Sequence, residues 1–168
     1  FHYLGAAQLA IYAFATVMPE QIKALLLKNI GALALPKFSE RSMKEIKENV
    51  YGRMIKAGVA IAIMTILYVI AAPYIFKIFF PQYFESIVYS QLFSISLVAA
   101  LYVIPVNILQ SQNMTKTLYH FNTVAPIVQI ILLFLLTSSY GLVGAVAAQI
   151  ATKFFLLGFS LILLARAR

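Results

Sequence analysis

Cysteine and aspartate are both missing from this chain. Without cysteine there is no disulfide framework and no thiolate metal site, and nothing in the sequence reports on redox compartment. The two histidines, His2 and His120, fall in different connecting segments. No Gly-rich phosphate loop, nucleophile elbow or His-Glu-x-x-His run occurs. An ATPase and a metal hydrolase are argued against. So is an enzyme of lipid-linked sugar synthesis, since intramembrane sugar and phosphate transfer relies on acidic residues with a metal. The expectation is a protein that is not an enzyme and takes no cofactor.

Charge is scarce as well. Only 11% of residues are charged and 62% are hydrophobic, against about 25% and about 45–50% in soluble globular domains. With a mean hydropathy of +0.91, the chain reads as an all-α integral membrane protein. A net charge of +8 raises nucleic acid as a partner, but the basic residues fall between apolar runs, as in cytoplasmic loops, and not on a soluble face with stacking aromatics. The partner indicated is the lipid bilayer, and nucleic acid is excluded.

What is present is organised around Gln8 to Lys28, QLAIYAFATVMPEQIKALLLK, inside an apolar span from about Leu4 to Leu35. Thirty helical residues reach roughly 45 Å, more than the hydrocarbon core, so Glu20 and Lys23 fall near mid-depth. Each charge costs about 2.5 to 3.5 kcal/mol there on an insertion scale, and such residues face a polar cavity or a partner. Gln8, Tyr12, Thr16 and Glu20 form one row at four-residue spacing, with Lys23 beside it. One reading is a water-filled pathway. The other is that Glu20 and Lys23 pair at i, i+3 and lock the helix to a neighbour.

Pro36 is expected to end this helix. Residues 37–56 then carry six of the thirteen Lys and Arg. Ser42 and Glu45 match a capping box, and Met43, Ile46, Val50 and Met54 share a face, which predicts a short amphipathic surface helix over 42–54; an ordinary solvated linker is the alternative. A second span over 56–80 ends in Tyr74, Phe76, Phe79, Phe80, Tyr83 and Phe84, an interfacial aromatic belt. A third, 87–109, carries Gln91, Ser94, Tyr102, Pro105 and Asn107, groups that more often glue helices than bind substrate. After the polar connection 110–122 comes a fourth span, 118–137, which borrows loop residues to cross. Ser138, Ser139, Tyr140 and Gly141 make a tight turn into the fifth span, 142–165. There Lys153 lies at mid-depth on a stripe with Gln149, Thr152 and Ser160, while Gly144 and Ala148 allow close helix approach.

The expectation is thus five transmembrane helices. Residues 36–56, 110–122 and 166–168 hold about nine Lys and Arg against Lys77 on the other side, which predicts a cytoplasmic C-terminus. The chain opens on Phe1 with no charged n-region before the first apolar run, and the expectation is a fragment of a longer protein.

The order of features resembles the second half of the polysaccharide flippases, the O-antigen and exopolysaccharide exporters of the MATE-like superfamily. The stretches that carry the likeness are HYLGAAQLAIYAFATVMPEQIKALLLKNIGALALPKFSE, then FKIFFPQYFES, then SSYGLVGAVAAQIATK. In the first, Leu4-Gly5 and Ile11-Tyr12 open a helix, and Leu35-Pro36 with Phe38-Ser39 close it. The likeness covers essentially the whole chain. It implies the tail of a second six-helix bundle, a missing N-terminal bundle as partner, alternating access, and residence in the cell inner membrane. The implied cargo is an undecaprenyl-pyrophosphate-linked oligosaccharide. Lys23, Lys153, Glu20, Gln8 and Gln149 would be its substrate-binding groups, because an anionic, hydroxyl-rich head needs cations and polar stripes in an apolar wall. Two alternatives stay open. In an ion-coupled antiporter of the same superfamily Glu20 would be the coupling carboxylate. A non-transporting membrane scaffold would have its charges satisfied by one another.

Overall fold

The computed structural model describes residues 5–39 and 42–167. His2, Leu4, Arg41 and Arg168 lie outside the described residues, as do the side chains at 26–39, Lys28 included. Helices form wherever the sequence supplies long runs of Ala, Leu, Ile and Val with few breakers. They are α1 (Ala6–Ser39), α2 (Met43–Phe79), α3 (Ser86–Ser94), α4 (Ser96–Ala99), α5 (Val103–Ser111) and α6 (Thr115–Arg166). Among the described residues three stretches are long and apolar enough to cross a membrane: Met43–Phe79, Ser86–Ser111 and Thr115–Arg166. The protein is therefore all-α and of multi-span membrane character.

Two expectations need correction. Pro36 does not end α1, which continues to Ser39; a proline within the last turn forfeits a single hydrogen bond, a smaller loss than in a helix interior. The segment 42–54 is not a separate surface helix either. It forms the first three turns of α2, whose 37 residues extend about 55 Å. The local signals were sound: the Ser42 side chain accepts a hydrogen bond from the Glu45 N–H at 3.4 Å, and Ile46, Val50 and Met54 are buried. No breaker lies between Met54 and the apolar run, and Gly52 and Gly58 are too weak to stop a helix that is packed on one side.

The stretch 86–111 is nearly continuous, tightening to a 3-10 turn at Ala100–Tyr102. Pro105 lies just beyond and lacks the N–H that would bond the Leu101 carbonyl, which accounts for the change of pitch. Its C-terminus closes on Asn113 at φ 54°. The Met114 N–H donates to Leu109 and the Asn113 N–H to Gln110, both at 3.0 Å, the two bonds of a Schellman motif.

α6 is broken at Gly141, whose φ of 56° and ψ of −130° suit a residue without Cβ. Residues 115–140 and 142–166 fold back on each other as two arms. Phe121 stacks on Phe159 with ring centroids 6.0 Å apart, and the Leu136 carbonyl sits against Gly144 where a Cβ would stand. The turn expected over Ser138–Gly141 is confined to Gly141, residues 138–140 being helical, and the close approach expected at Gly144 is present.

The two ends of the bundle differ. At one end Ile46, Val50, Leu101, Ile108, Leu109 and Leu164 form an apolar core. Over it the Lys47 ammonium donates to the carbonyls of Ala165, at 3.0 Å, and Ala167. The basic stretches around 47, 116 and 166 thus meet at one end. At the opposite end Phe14 stacks on Tyr83 at 3.5 Å and tilts against Phe80 at 5.6 Å. Phe76 departs from the expected belt, since it is fully buried while Tyr74, Phe79 and Phe84 are exposed.

Candidate functional site

α1 packs chiefly against α3 and α5, and its polar row faces the second arm of α6. Tyr12 and Glu20 lie two turns apart, as four-residue spacing on a helix requires. The Tyr12 hydroxyl meets the Gln149 amide, and one Glu20 oxygen accepts from Lys153 Nζ at 3.1 Å. Residue numbers rise together along both helices, so α1 and the second arm run parallel. Lys23 pairs with the other Glu20 oxygen. One carboxylate therefore bridges two ammonium groups, Lys23 three residues on in its own helix and Lys153 from 133 residues further along the chain.

This cluster sits halfway along the bundle. Lys153 lies about 18 Å of helix beyond the Gly141 turn and about 20 Å before Arg166. The side chains of Lys153, Lys23 and Glu20 keep 15%, 22% and 37% of their exposure, so the cluster is only partly buried. Pro19, fully buried, withholds an N–H from the Ala15 carbonyl one turn back, which loosens α1 beside Glu20.

Pairing offsets much of the penalty for burying charge. The balance is unequal, because two cations share one anion and the cluster carries a net charge of one positive unit.

The remaining polar residues divide clearly. Thr16 donates to the Tyr12 and Ala13 carbonyls, Thr152 to Ala148 and Ser160 to Leu157, all within their own helices. Tyr68 with Ser90, and Gln91 donating to the Val69 carbonyl at 2.8 Å, join α2 to α3 and act as glue. Asn107 Nδ2 is buried without a partner. Gln8 is exposed and lies roughly 18 Å along the helix from Glu20, so the structure places it apart from the cluster. Among the described residues no group of His, Cys, Asp and Glu is arranged to hold a metal ion.

Sequence reasoning brought Glu20 to Lys23 directly, and joined Lys153 to them only in the scaffold alternative, where the charges satisfy one another. The available signal was parity: in an up-and-down bundle the first and fifth spans run parallel, and both carry a charge on a polar stripe at equal depth. No family model matches the chain, and no curated protein or solved structure matches it.

Proposed function

We propose that the chain is a membrane transport unit of five crossings. They are α1, α2, the stretch 86–111 and the two arms of α6, with the basic end cytoplasmic, in a bacterial inner membrane. Its cargo is an amphiphile with an anionic head, of the undecaprenyl-pyrophosphate-linked oligosaccharide type, which it moves between leaflets for polysaccharide assembly. The single observation that supports this reading is the partly buried Glu20, Lys23 and Lys153 cluster with its excess positive charge. A low-dielectric surrounding strengthens the pull of an ammonium on phosphate. Glu20 holds both lysines when no substrate is present, and phosphate displaces it. Gln149 and Gln8 extend the polar stripe toward the aromatic end, where they meet sugar hydroxyls. Rocking follows only to the extent that substrate binds the two states unequally.

The excess of cations favours an anionic cargo over a cationic drug. The pairing of Glu20 with both lysines supports a second reading, a scaffold in which the charges only fasten α1 to α6. Transport assays on the intact protein in proteoliposomes separate the two. Lys23→Gln and Lys153→Gln are each expected to lower flipping of a pyrophosphate-linked lipid about tenfold or more, while Lys47→Gln leaves it unchanged. Parental flipping in both intramembrane variants, with unaltered folding, would mean the cluster is a fastening and nothing more.

A further inference from the structure

At the basic end a second cationic feature lies apart from the mid-depth cluster. The start of the first arm of α6 and the end of its second arm border a groove of about 400 Å³ lined by Lys116, Arg166, Asn113, Thr115 and Thr117. No carboxylate among the described residues lines it. Among the described residues neither Lys116 nor Arg166 has an ion-pair partner, unlike the lysines of the central cluster. The hairpin fold of α6 brings these two cations together from opposite ends of a 52-residue helix, and Lys47 fixes the chain beyond Arg166 by holding the Ala165 and Ala167 carbonyls. The backbone on both sides of Arg166 is thereby held, while the Lys116 and Arg166 side chains are exposed at the groove.

We infer that this groove binds a phosphate group, the chemistry that a planar guanidinium, a point-charge ammonium and neighbouring hydroxyl and amide donors recognise together. Its position, where the apolar arms of α6 end, puts an anionic phospholipid headgroup in reach while the acyl chains lie along the exposed side chains of the first arm. A soluble phosphate ester offers the same chemistry. The site would clamp the two ends of the α6 hairpin whether or not cargo occupies the central cluster, so it stands independently of the transport reading.

The test uses the intact protein, purified and delipidated in a neutral detergent, with native mass spectrometry as the readout. Equal amounts of phosphatidylglycerol and phosphatidylcholine are offered. The parent is expected to retain the anionic lipid about 25-fold better, since each of the two cations near the surface adds roughly a factor of five to binding. Lys116→Ala with Arg166→Ala should bring the ratio close to one, Lys116→Arg with Arg166→Lys should restore most of it, and Lys44→Ala with Arg53→Ala should leave it intact. Added inorganic phosphate that displaces the lipid marks a groove also open to soluble phosphate; lipid retained in its presence marks a headgroup site. An unchanged ratio in the Lys116 and Arg166 double variant, or an equal fall in the Lys44 and Arg53 one, would overturn the proposal in favour of a diffuse basic surface.

Discussion

The two arms of α6 have much the same apolar character, yet they are packed in opposite ways. Of residues 115–140 only Phe121 is buried, and Ile127, Ile130, Ile131, Leu133, Phe134 and Leu135 are exposed. In residues 142–166 Leu142, Gly144, Ala145, Val146, Ala148, Thr152, Ser160 and Leu164 are buried. Hydropathy marks both arms as membrane material. What separates them is size: small residues let backbones meet where lipid offers no hydrophobic drive to associate, while branched side chains face outward. The arm with the small residues is also the arm that carries Lys153, so close packing and the partly buried charge occur together.

The largest expected effect lies where the arms touch. Gly144→Leu would drive a side chain into the Leu136 backbone carbonyl, which has no rotamer by which to move aside. We expect a loss of more than about 3 kcal/mol, the upper end for overpacking, read as failure to recover folded protein after detergent extraction. A folded, equally heat-resistant Gly144→Leu protein would show that the hairpin is not closed at that point.

Next comes the seam between the second arm and α1. Lys153→Met should leave Glu20 with Lys23 alone and lower stability by about 1 to 2 kcal/mol, less than the 3 to 5 typical of a fully buried pair because Glu20 is 37% exposed. The exchange Glu20→Lys with Lys153→Glu should recover part of that stability, as read from the denaturation midpoint. If the double variant is no more stable than Lys153→Met, the two side chains do not pair across the seam.

This seam shows where sequence stops being informative. Periodicity gave the polar row of α1 and the stripe of the second arm, and the positions of Glu20 and Lys153 about halfway along their helices followed from counting residues. Their contact is non-local, set by which helices lie side by side, and no local pattern encodes that. Gln8 shared the row and so was grouped with Glu20, although distance along a helix separates them. At 42–54 the cap and the apolar face were both legible, but whether one helix runs into the next depends on packing against Leu101, Ile108 and Leu164, which is again tertiary.

An effect of similar size is expected at the entry to the first arm. Asn113 occupies left-handed backbone at φ 54°, where asparagine is tolerated and a β-branched residue is not. Asn113→Val should cost about 1 to 2 kcal/mol, and Asn113→Gly should be neutral within about 0.5 kcal/mol. Matching thermal transitions for the Val and Gly variants would mean the Schellman closure contributes little to the start of α6.

The smallest effect belongs to the exposed face of the first arm, and it sharpens the comparison between the arms. Ile130 is 67% exposed, and in a bilayer its side chain exchanges lipid contacts for lipid contacts whether the chain is folded or merely inserted. Ile130→Ala should therefore change stability by less than about 0.5 kcal/mol, since cavity and transfer losses arise only where protein surrounds the side chain. Val146→Ala, a smaller deletion at a position 2% exposed, should cost about 1 kcal/mol, within the range for removing buried methyl groups. Denaturation of both variants in the same lipid mixture checks the order. If Ile130→Ala proves the more damaging, the first arm is covered by protein in the membrane, and the contrast between the arms reflects a neighbour beyond the described residues.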